Sequence, residues 1–247
     1  MGRLSGRVAI ITGGGSGIGR ATAVLFAAEG ARVLIAGRRP EPLLETAAAA
    51  RGVLPIAADV SRPEEVDRII ECCQRELGTP QILVNNAGLF EARGLLHETT
   101  VEAFDESMAI NLRGPFLMTR AVIPHMLRAG GGSIVNVGSN LAQFAIPHAA
   151  AYCTAKGGLL MLTRATAVDY APQGIRCNMV SPGLVRTEMT AAVWTSPGLA
   201  AEVAKEYPMG RFGDPGEIAR AILHLASDES AWTTGAVLNV DGGASAR

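Results

Sequence analysis

The chain has 247 residues, 48% hydrophobic and 18% charged, with a formal net charge of −1. That length and apolar content suit one large domain with a well-buried core. The balanced charge, without a Lys/Arg-rich block, argues against a nucleic-acid partner, and the short apolar run before the first glycines argues against a signal segment or membrane span.

Short β-branched apolar runs bounded by Gly, Asp or Asn predict strands at 7–12, 32–37, 53–58, 81–86, 133–138, 175–180 and 236–240. Their nearly continuous apolar character suits strands covered on both faces. Helical patterns fill the intervals. Residues 18–30 end at a C-cap glycine, Gly30. The alanine run at 47–50 favours helix. Residues 63–77 follow a Ser61 cap signal and stop at Gly78. Within 100–129, Gly114 and Pro115 predict a split into two helices. Residues 150–171 stop before Pro172, and 214–227 open with Asp214 as cap and Pro215 in the first turn. The alternation predicts an α/β fold in a single domain over 1–247. It is a Rossmann-like, doubly wound parallel sheet of about seven strands with helices on both faces.

The stretch TGGGSGIG (12–19) follows the first strand and opens the first helix. Gly13 and Gly15 permit tight turns beside a phosphate, and Gly19 permits close packing of helix on sheet. The free N–H groups and positive dipole end of that helix favour a pyrophosphate. Further signatures follow in order: Asp59 after the third strand, NNAG (85–88), Asn111, Ser139, YCTAK (152–156), PG (182–183) with Thr187, and VDGG (240–243). Together they resemble the short-chain dehydrogenase/reductase family over almost the whole chain. The stretch from Gly210 to Gly243 resembles its 3-oxoacyl-reductase branch.

Tyr152 and Lys156 stand four apart in a predicted helix and share a face. A free phenol titrates near about 10, and an ammonium beside it is expected to lower that value. The plainer reading is a core tyrosine with a snorkelling lysine. Ser139, at the end of the fifth strand, favours the catalytic reading, because parallel sheets bind ligands at that edge. The resemblance implies the roles. Tyr152 would be the general acid in carbonyl reduction and the base in alcohol oxidation. Ser139 would hold the carbonyl oxygen and Lys156 the nicotinamide ribose. Asn111 would hold a water that relays protons from Lys156.

The resemblance also implies a dinucleotide lining. Gly13, Gly15, Ser16, Ile18 and Gly19 form the glycine loop, and Asp59 with Val60 meets the adenine. Asn86, Ala87 and Gly88 line the ribose and nicotinamide side, with Pro182, Gly183, Val185 and Thr187 at the carboxamide. Gly37 stands where an NAD site carries an acidic residue, and Arg38 and Arg39 follow it. This predicts NADP(H), with NAD(H) as the alternative. Many NADP-dependent relatives also carry a basic residue in the glycine loop, where this chain has Ser16.

Residues 184–212 form a long insertion that the resemblance makes a lid. Leu141, Gln143, Phe144, His148, Met189 and Trp194, with Ser139 and Tyr152, are expected to shape a partly hydrophobic pocket for a small-molecule substrate. The remaining histidines lack ligand spacing and the four cysteines lack CxxC, so no metal site is expected and a reducing, cytoplasmic setting is. Excess apolar surface on 100–129 and 150–171 predicts a homotetramer, as in relatives. The predicted function is hydride transfer between NADP(H) and a carbonyl or secondary alcohol. A non-catalytic dinucleotide sensor would not need the Ser–Tyr–Lys set, and nucleotide-sugar epimerases are usually longer.

Overall fold

The inner strands of the sheet send alternate side chains into two separate apolar cores. The computed structural model describes residues 2–90 and 94–246. Its strands are β1 (Val8–Thr12), β2 (Arg32–Gly37), β3 (Val53–Ala57), β4 (Ile82–Asn85), β5 (Gly132–Val137), β6 (Ile175–Pro182) and β7 (Val237–Val240). They form one seven-stranded sheet in the order β3-β2-β1-β4-β5-β6-β7, parallel throughout. The helices are α1 (Gly17–Ala28), α2 (Pro40–Ala49), α3 (Pro63–Glu76), α4 (Val101–Met108), α5 (Gly114–Arg128), α6 (Ala150–Tyr170), α7 (Ala191–Trp194), α8 (Pro197–Ala204) and α9 (Pro215–Ala226).

On one face, Ala9 and Ile11 of β1 pack with Phe26 of α1 and Ile218 and Ile222 of α9. On the other, Val8 and Ile10 pack with Ile69 of α3 and Met118 and Val122 of α5. Two-sided burial is the reason the strands read as unbroken apolar runs. Because β1 pairs with both β2 and β4, the chain winds outward in two directions from that crevice. Such a switch point leaves a cleft beyond the carboxyl ends of the strands.

Two local expectations change. Gly114 and Pro115 do not split the helix: α4 continues through a π-helical turn, Ala109–Arg113, into α5. The Gly114 N–H bonds the Ala109 carbonyl, skipping one rung of the regular ladder. Pro115 comes directly after this interruption, where its missing N–H disturbs little. Ser61 is not the cap of α3, since Arg62 holds that place. Ser61 instead donates its N–H (2.9 Å) and hydroxyl (2.7 Å) to Asp59 Oδ1.

Between β6 and α9, a short 3₁₀ turn, Glu188–Thr190, leads into α7 and α8. The base of this insertion is pinned where Arg186 N–H donates to the Gly213 carbonyl and Gly213 N–H to that of Leu184, both at 3.0 Å. Among the described residues no helix is long and apolar enough to cross a membrane.

Candidate active site

The glycine loop is shaped by what presses on it. Gly13 has φ +67°, and a Cβ there would sit 2.7 Å from Asn86 Nδ2. Asn86 donates from that nitrogen to the carbonyls of Thr12 (2.9 Å) and Gly13 (3.1 Å). Thr12 Oγ1 in turn accepts from the Asn86 and Ala87 N–H groups, both at 3.0 Å. The Asn86 side chain is thus a brace between β4 and the loop. Gly19 lies against the loop rather than the sheet, because a Cβ on it would meet the Gly13 carbonyl at 2.1 Å.

A cavity of about 1140 Å³ runs from this loop across the carboxyl ends of the strands. Gly13, Gly15, Ser16, Ile18, Gly37, Arg38, Arg39, Asp59 and Val60 line one end. Asn86, Ala87, Gly88, Pro182, Gly183, Val185 and Thr187 line its middle. Ser139, Tyr152 and Lys156 meet at the far end, with Leu141, Gln143, Phe144, His148 and Met189 around them. Gly19, Asn111 and Trp194 do not line it.

The far end is built by β5 and α6. Ser139 follows β5, and its Oγ accepts from the Leu141 N–H at 3.2 Å. The first turn of α6 presents Tyr152, and the next presents Lys156 on the same face. The Ser139 hydroxyl lies beside the Tyr152 phenol and favours its ionised form. Lys156 Nζ lies 5.6 Å from the Tyr152 ring centroid and donates to the Val137 carbonyl at 3.0 Å. Phe90 meets the Tyr152 ring edge-on, with centroids 4.7 Å apart. Sequence reasoning missed Phe90, whose signal was its place just after NNAG.

Loss of water dominates the electrostatics here. Burial pushes the Tyr152 phenol up to about 12, against the lowering effect of the nearby Ser139 hydroxyl. Burial also pulls Lys156 down to about 8. The ammonium was expected to lower the phenol value. In the unliganded chain it does not, because both groups are desolvated and the ammonium is itself easily neutralised.

Asn111 sits in the π-helical turn with its side chain engaged. Its Oδ1 accepts from the Leu89 N–H (3.0 Å) and its Nδ2 donates to the Leu89 carbonyl (2.9 Å). This double clamp holds the segment after NNAG beside Lys156. A Cβ on Gly88 would lie 3.1 Å from Asn111 Oδ1 and 3.7 Å from Lys156 Nζ.

At the opposite end, Arg39 reaches Glu188 of the insertion in a two-pronged ion pair, with N–O distances of 2.7 and 2.6 Å. That pairing holds the Glu188 carboxyl below its ordinary value, and the nearby Ser16 hydroxyl adds a smaller lowering effect. Asp59 feels burial, which raises its carboxyl, but the two Ser61 bonds and the charges of Arg38 and Arg62 bring it below the ordinary value. Arg39 is therefore an exposed but paired cation.

Trp194 lies outside the cavity. Its indole donates to the Thr187 carbonyl at 2.9 Å, and it lines a shallow groove with Arg20, Ala21 and Val24 of α1. Tyr207 was not anticipated. It lines the cavity, and its hydroxyl accepts from the Leu184 N–H at 3.0 Å.

A family model described as enoyl-(acyl carrier protein) reductase matches residues 13–245. The chain is 43% identical over 243 residues to 2-(R)-hydroxypropyl-CoM dehydrogenase of Xanthobacter autotrophicus, covering 96% of this chain and 97% of that protein. It is 39% identical over 246 residues to a 3-oxoacyl-[acyl-carrier-protein] reductase of Thermotoga maritima, covering 98% of each. The crystal structure of levodione reductase superposes with a TM-score of 0.94 at 35% identity, covering 98% of this chain and 99% of that one. These relatives carry divergent names, and no single branch is singled out among them. On its fold, its cavity and these likenesses, the chain belongs to the short-chain dehydrogenase/reductase superfamily of oxidoreductases.

Proposed function

We propose that the chain interconverts a carbonyl compound and the corresponding secondary alcohol using NADP(H). The convergence of Tyr152, Ser139 and Lys156 at one end of a dinucleotide-sized cavity carries this reading. The cavity suits the cofactor. The α1 N-terminus and glycine loop offer backbone N–H groups to a pyrophosphate. Lys156 spends one of its three N–H donors on Val137, leaving the others for ribose hydroxyls. When bound, the nicotinamide supplies or accepts the hydride.

In reduction, Ser139 donates a hydrogen bond to the substrate oxygen and orients it toward the phenol. Tyr152 then donates its proton to that oxygen as negative charge develops there. In oxidation Tyr152 takes the hydroxyl proton back. The raised phenol value suits the acid role, and the positive charge of oxidised cofactor would lower it for the base role. Phe90 keeps water from one side of the ring. Proton relay through Asn111 would use its main chain, since its side chain holds Leu89.

Arg38 and Arg39, with Gly37 in place of an acidic residue, support NADP(H). One observation favours NAD(H) as a second reading: Glu188 already neutralises Arg39. The names of the relatives, which are dehydrogenases and reductases, support the reaction class. Phe144, Leu141 and Met189 support a partly apolar substrate. Exposed Phe116, Met161 and Val168 on α5 and α6, with Leu238 on β7, support a homotetramer, which light scattering would test. Four free cysteines support a reducing, cytoplasmic setting. The principal test is Tyr152→Phe. Turnover on ketones and alcohols should fall by about 10²- to 10⁴-fold while cofactor still binds. Turnover near the wild-type rate would refute the assignment.

A further inference from the structure

We propose that Glu188 is a selectivity residue, competing with the adenosine 2′-phosphate for Arg39 and tying the insertion to the cofactor cleft until that phosphate replaces it. The inference rests on dinucleotide binding in this cavity and extends the NADP(H) reading to the insertion. Arg39 follows the end of β2 and lines the cleft. Both prongs of its guanidinium are taken by Glu188, at 2.7 and 2.6 Å. A guanidinium fork matches one carboxylate or one phosphate face to face, so the two anions cannot share that geometry.

Glu188 stands between Thr187 and Met189, which both line the cavity together with Arg39. One carboxylate therefore joins two segments, the turn after β2 and the insertion. A 2′-phosphate brings about two negative charges to Arg39. It must displace Glu188 or be repelled by it. The uncharged 2′-hydroxyl of NAD(H) leaves the ion pair in place. Glu188 thus handicaps the phosphorylated cofactor relative to what the two arginines could hold, and binding of that cofactor releases the insertion from its tie.

The test is fluorescence titration of NADPH and NADH against the full chain as wild type, Glu188→Gln, Arg39→Gln and the double variant, at fixed ionic strength. Glu188→Gln should tighten NADPH about five- to tenfold and change NADH by less than about twofold. In the Arg39→Gln background the same change should have no effect. An equal shift for both cofactors, no shift for either, or an undiminished NADPH gain without Arg39 would overturn the proposal. If wild type binds NADH more tightly than NADPH, the NADP(H) reading fails. The competition itself is upheld if Glu188→Gln still moves the ratio toward NADPH.

Discussion

The two ends of the cavity handle charge in opposite ways. At the catalytic end Lys156 is 3% exposed. At the adenosine end the Arg39 and Glu188 side chains are 58% and 59% exposed. Desolvation rules the first end, pushing Tyr152 up to about 12 and Lys156 down to about 8. Pairing rules the second, where an exposed ion pair contributes only about 0–1 kcal/mol and is screened by salt. On the proposed reading, proton transfer is set by burial, which salt does not reach, and cofactor choice is set by surface charges that can exchange partners.

The largest effect that would break this contrast is at Lys156. Lys156→Met should lower turnover about 10²-fold or more, since it would remove the proposed ribose contact and the charge beside the phenol. The same variant sharpens the desolvation argument through stability. The folded chain releases the Lys156 proton near pH 8, whereas an unburied lysine holds it to about 10.5. Between those values the unfolded chain binds more protons, so the wild type gains stability as pH rises from about 8 to 10.5. Below that window the buried ammonium is a cost, and unliganded Lys156→Met should be more stable than wild type by about 2 kcal/mol at neutral pH. Denaturant melts at pH 7 and near pH 10 should show the gap narrowing at the higher pH.

Smaller effects belong to the exposed end. Raising salt about tenfold should reduce the NADPH-to-NADH affinity ratio by about two- to fivefold, while turnover at saturating cofactor holds steady. An equal response of turnover would erase the distinction between the ends. The smallest effect is expected at Trp194. Because its indole anchors Thr187 from outside the cavity, Trp194→Ala should lower kcat/KM about two- to threefold, alike across substrates. A change in substrate preference would return Trp194 to the pocket wall.

Strands β1, β2, β4, β5 and β6 were legible because residues buried on both faces leave an unbroken apolar run, as in Val8–Thr12. Tyr152 and Lys156 were legible because helical spacing puts them on one face. The Arg39–Glu188 pair was not, since 149 residues separate its partners and no local pattern links them. The π-helical turn at Ala109–Arg113 was hidden by Gly114 and Pro115, which end an ordinary helix but here follow an interrupted ladder. Asn86 and Asn111 were assigned to cofactor and water because of where they stand along the chain. Their side chains also brace backbone, a role that only three-dimensional contact reveals.

The most direct test of burial-tuned proton transfer is tyrosinate absorbance of the wild type minus that of Tyr152→Phe. Near pH 10 an ordinary phenol is about half ionised. Tyr152, held up to about 12, should remain protonated there in the unliganded chain and ionise when oxidised cofactor binds. A Tyr152 already half ionised near pH 10, and unmoved by the cofactor, would contradict the account.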